Sequence, residues 1–196
     1  MPGYYMATMK YDGTESWWDE FFLWRGLPQL VEVVSIENAL AFDDRELTTE
    51  DWKNIAYREE VGCGGVLCFR ELQPLVHCLS RLNGDKPINL LWVCREPIEQ
   101  PLPPTSPLPF EFLGCDLIDE DTRISALTNC GLGFPAAFAE AEISEHGLIR
   151  TLERAKKVQA DLRGHYPDEP HAQCSLWAIF RSLESRPVQM LDKFVP

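Results

Sequence analysis

Apolar and polar positions change their period several times along this 196-residue chain, and each change marks an element. Leu148, Leu152, Ala155, Val158 or Gln159, and Leu162 form one apolar stripe at helical spacing, with Ser144 as the expected N-cap and Gly164 as the stop. Leu72, Leu75, Val76, Leu79 and Leu82 recur in the same way, closed by Asn83-Gly84. A shorter helix is expected from LTTEDW to about Tyr57: Thr48 or Thr49 caps it, and Glu50 and Asp51 place negative charge in its first turn.

Elsewhere the pattern favours strands. LVEVVSIENALAF from Leu30, INLLWVC at 88–94 and QCSLWAIF at 173–180 are rich in branched and aromatic residues and predict largely buried strands. Phe110, Phe112, Leu113, Leu117 and Ile118 predict another, followed by an acidic turn, Asp119-Glu120-Asp121, and an antiparallel neighbour at 124–128. Residues 1–16 read as polar chain with turn residues. The segment after them, with Trp17, Trp18, Phe21, Phe22 and Trp24, carries too much apolar surface to leave in water and is expected to pack on the sheet. The stretch 96–109 holds six prolines, which excludes a regular helix or interior strand. It is read as an excursion within one domain spanning 1–196. The expected class is therefore α+β, a mixed, mainly antiparallel sheet with packed helices.

Charge narrows the function. With 18 Lys and Arg against 31 Asp and Glu, the net charge is −13, unsuited to phosphate backbones or anionic lipid and suited to a basic protein partner. Between residues 12 and 60, thirteen acids face four bases, a net of −9, so much of the excess lies in one quarter of the chain. The later helix differs: Arg150, Arg154, Lys156, Lys157 and Arg163 outnumber its acids. Seven scattered cysteines without CxxC spacing suggest neither a disulfide framework nor a zinc ribbon, and read as reduced, buried thiols of a cytoplasmic protein. The N-terminal residues lack the pattern of a secretory signal, and no apolar run is long enough to span a membrane.

Candidate chemistry is sparse. Gly62, Gly64 and Gly65 precede an apolar run but match neither phosphate-loop spacing. Cys130, in Asn129-Cys130-Gly131, could be a nucleophile if His146, beside Glu145, or His171 came within reach; a buried, inert thiol is the stronger reading. His165 and His171, with Asp168 and Glu169 between them, are ligand types without a metal-site spacing. Asp116, Asp119, Glu120 and Asp121 lack the spacing of a calcium loop. No cofactor or metal is expected.

The combination FEFLGCDLID, SALTNCG, SEHGLI, LERA, YPDEPHA and the final aromatic strand resembles small acidic bacterial proteins of the toxin-immunity type, over the C-terminal part of the chain. The resemblance implies an accessory or neutralising role and carries over no functional residue. Together with the charge it makes a non-catalytic protein that binds and neutralises a basic partner the leading expectation. Its expected binding residues are Asp43, Asp44, Glu50, Asp51, Trp52, Asp119, Glu120 and Asp121, with Trp17 and Trp18 as further aromatic anchors. The alternatives are a phage or plasmid anti-defence inhibitor that imitates nucleic acid, and a cysteine-dependent hydrolase or transferase using Cys130.

Overall fold

A computed structural model describes residues 3–11, 14, 27, 29–42, 47–56, 61, 66–81, 87–119, 121–129, 142–165, 167–168 and 172–183. The aromatic segment at 16–26, the glycine cluster at 62–65 and the tail from Ser185 lie outside the described residues.

Six strands form one sheet: β1 (Tyr4–Met9), β2 (Ile55–Ala56), β3 (Cys68–Phe69), β4 (Ile88–Arg95), β5 (Phe110–Ile118) and β6 (Ser175–Ser182). Their order is β2-β3-β1-β4-β6-β5, and every pairing is antiparallel. Among the described residues three α-helices are seen over several residues: α1 (Thr49–Asn54), α2 (Leu72–Arg81) and α3 (Leu152–His165). The fold is α+β, as the alternation of periods predicts.

Both faces of the sheet are buried, and the side-chain alternation of its strands assigns residues to each. Tyr5, Ala7, Leu90, Cys94, Leu176, Ala178 and Phe180 face the larger core, which is completed by Leu75 and Leu79 of α2 and by Leu152, Val158 and Leu162 of α3. Tyr4, Met6, Leu91, Val93, Trp177 and Ile179 face the other, closed by Val34, Ile36, Val61, Val66 and Leu148. α2 and α3 therefore cover one face, and the segments around Val34, Ile36 and Leu148 cover much of the second.

Several expectations need correction. Residues 4–9, read as polar chain, form β1 near the middle of the sheet, hydrogen-bonded to β3 and β4. Residues 30–42, read as a strand, make only the isolated bridges Tyr11↔Val33 and Thr8↔Ala39 and a 3-10 turn at Ile36–Asn38, while Val31 stays 58% exposed. The expected partner strand at 124–128 reduces to one bridge, Ile118↔Ser125, followed by a turn. Ser144 does not cap α3, which starts eight residues later. Its hydroxyl accepts from the backbone N–H groups of His146 and Leu148 and shapes a tight turn before the helix. No described helix is long and apolar enough to cross a membrane.

Candidate functional site

The described part of the expected binding surface is built on α1. Thr48 caps this helix: its hydroxyl accepts from the Asp51 N–H at 3.2 Å, and the Asp51 carboxylate accepts from the Thr48 N–H at 2.7 Å. This reciprocal pair satisfies two otherwise unpaired donors of the first turn. Asp51 also receives the Arg81 guanidinium at 2.6 Å from the end of α2. Burial pushes the Asp51 carboxyl up, but the Thr48 hydrogen bonds and the Arg81 charge outweigh it and hold the group below its ordinary value. Asp51 is 4% exposed, so its part in the surface is to fix the helix rather than to meet a partner.

What α1 presents is Glu50, exposed and paired with Lys53 at 2.7 Å, and Trp52, 37% exposed. Asp43 and Asp44, just upstream, lie outside the described residues, as do Trp17 and Trp18. α1 runs directly into β2, so this surface borders the β2 edge of the sheet.

The second acidic segment leaves the sheet from the opposite edge. Asp119 follows β5, and its carboxylate accepts from the N–H groups of Asp121 at 3.0 Å and Thr122 at 2.8 Å, closing a turn in which Arg123 adopts φ 64°. Asp121 is exposed, and Glu120 lies outside the described residues. Five strand spacings separate the two edges, about 24 Å at the usual interval. Glu50, Asp51 and Trp52 are thus neighbours only along α1, and the sheet keeps Asp119 and Asp121 apart from them.

Two buried polar clusters, absent from the sequence reading as sites, hold the loops over the second face. Asp116 is fully buried on β5; it accepts from the Ser35 hydroxyl at 2.6 Å, the Ser125 hydroxyl at 2.7 Å and the Leu117 N–H at 2.8 Å. Burial pushes its carboxyl up to about 7 against these donors, and nearby Glu37 adds to the rise. Glu37 in turn accepts from the Ser125 N–H at 3.0 Å and from the Asn129 side chain. In the other cluster Glu32 accepts from Arg181 at 2.6 Å and Asn89 at 2.8 Å. These residues line a cleft of about 230 Å³ together with Lys10, Glu111 and Leu183. Arg181 also lies 3.9 Å from Glu111, so its charge is matched on both sides. The only signal for either cluster in the sequence is a carboxylate or serine inside an apolar run.

Cysteine chemistry has no foothold on the described thiols. Cys68, Cys78, Cys94, Cys115 and Cys174 are buried, and burial pushes Cys78 and Cys115 up to about 12 and Cys94 to about 11. Cys130 and His171 lie outside the described residues. His146 Nδ1 sits 3.7 Å from a Glu32 oxygen, and burial, reinforced by Arg181, lowers its pKa and favours the neutral ring. His165 lies 4.0 Å from Asp161, one helical turn away. No group of His, Cys, Asp and Glu suited to a metal ion occurs among the described residues. Comparison with protein-family models, curated proteins and solved structures finds no match to this chain.

Proposed function

We propose that this protein binds a basic protein through the surface around α1 and neutralises it by occupying its cationic cleft, as an immunity protein does against a toxin. One observation carries the reading: Trp52 and Glu50 are both exposed on a helix whose orientation is locked by the buried Asp51, tied at once to Thr48 and Arg81. A half-exposed Trp on a rigid element is the residue type that dominates binding energy, and acids around it speed encounter with a basic target. The net charge of −13 adds long-range attraction of the same sign. Blocking a cleft in this way needs no reacting group.

The test is capture of partners from the native host on the immobilised protein, washed at low and high salt. A basic partner released at high salt is expected. Trp52→Ala should weaken its binding by about 2 kcal/mol, chiefly through faster dissociation, whereas Glu50→Lys should slow association and reduce its salt dependence. Unchanged kinetics in both variants would overturn the assignment of this surface.

A further inference from the structure

The connection between β4 and β5 presents a surface of another kind. Both ends are fixed: Pro97 and Leu108 are buried, Lys156 of α3 donates to the Ile98 carbonyl, and the Leu183 N–H donates to the Pro109 carbonyl at 3.1 Å. Between these anchors, Pro101, Pro103, Pro104 and Pro107 lock their own φ angles, and residues 101–106 form neither helix nor strand. Pro101 and Pro104 are half-buried, three residues apart, while Leu102, Pro103 and Thr105 are exposed. Three residues per turn is the period of a polyproline II helix, which would turn these two prolines to the protein and the intervening residues to solvent.

Leu102 is 81% exposed and Ile98 83%, the two most exposed large hydrophobic side chains among the described residues. Among the described residues, no hydrogen bond reaches the backbone of residues 99–105, so their carbonyls are open to outside donors. Glu99, beside the aliphatic pair, is exposed as well.

We propose that residues 99–105 are a docking ligand for a protein module whose groove is lined by parallel aromatic rings and bears a cation at its rim. The Leu102-Pro103 pair fits a slot between two rings, and phenol or indole donors in such a groove meet the free carbonyls. The prolines leave little chain entropy to lose on docking, and Glu99 selects the cationic rim. Ile98 is held by α3, which packs on β5 and β6, whereas α1 borders the β2 edge. The two surfaces are therefore separate, and this one stands whether or not the α1 reading holds.

The experiment is titration of the full chain into purified, dye-labelled SH3, WW and EVH1 domains, read by fluorescence polarisation. Saturable binding to at least one domain is expected, weakened about tenfold or more by Leu102→Asp and by Pro103→Ala. Lys157→Ala, exposed on α3, should leave it unchanged. Failure of every domain to saturate, or equal binding by the wild-type, Leu102→Asp and Pro103→Ala proteins, would overturn the proposal.

Discussion

Asp116 combines full burial with three hydrogen-bond donors, and these act on its carboxyl in opposite directions. Each serine hydroxyl that donates to it also accepts from backbone: Ser35 from the Glu37 N–H, Ser125 from those of Leu127 and Thr128. The hydroxyl protons are thereby directed at Asp116, yet burial still raises it to about 7 from 3.8. A raised acid binds more protons folded than unfolded, so its ionisation should cost stability progressively as pH rises from 3.8 to about 7, and no further above that. Asp116→Asn, which keeps the shape without the titration, should flatten the stability profile over this window in urea unfolding at successive pH values. Asp51 acts with the opposite sign. Its folded value lies below 3.8, so its contribution is complete above about pH 4 and is lost as pH falls through the lowered folded value. Asp51→Ala should cost about 2 kcal/mol at neutral pH, and the difference from wild type should shrink in strong acid. An equal cost at every pH would mean that the carboxylate charge is not what holds α1.

At the scale of elements, β5 shows how closely the loop layer is fitted. The register of β5 on β6 shifts between Phe112 and Gly114, and Gly114, at φ 148°, faces the bridge between Cys115 and Ile149. A Cβ there would lie 2.7 Å from the Ile149 carbonyl oxygen and 2.9 Å from Leu148 Cβ. Gly114→Ala should therefore lower stability by about 2 kcal/mol or more in denaturant unfolding, through backbone strain as well as crowding.

The same element-level view explains what could be read from sequence. α2 was legible because one face is buried and the other solvated, giving a periodic pattern; α3 was legible over 152–162 for the same reason. β1 was not, because YYMATM is buried on both faces and so does not alternate, and its apolar run is short. Residues 30–38 carry strand-like composition because Val33, on the larger core, and Val34 and Ile36, on the other, are buried by packing rather than by a ladder. The cap at Thr48 was visible from local spacing, but the role of Asp51 depended on Arg81, thirty residues away, which no local pattern announces. Whether the acidic segments share one surface could not be read, because sequence does not reveal strand order.

For the molecule as a whole, the sheet order sets where charge can act. Acids at the β2 edge and acids beyond β5 stand about 24 Å apart, more than two Debye lengths at physiological salt, so they address a partner separately. The same order has a consequence for biogenesis. β4 and β5 follow one another in the chain but are not neighbours, because β6 is inserted between them and pairs with both. During synthesis every other strand leaves the ribosome before residues 175–182 arrive, so the nascent sheet waits with two apolar strand edges facing an empty slot. Such edges are templates for the wrong chain. A stop codon after residue 168 should yield a product that sediments as aggregate, and supplying a separate peptide covering 172–183 during refolding should recover soluble material by filling the gap in trans.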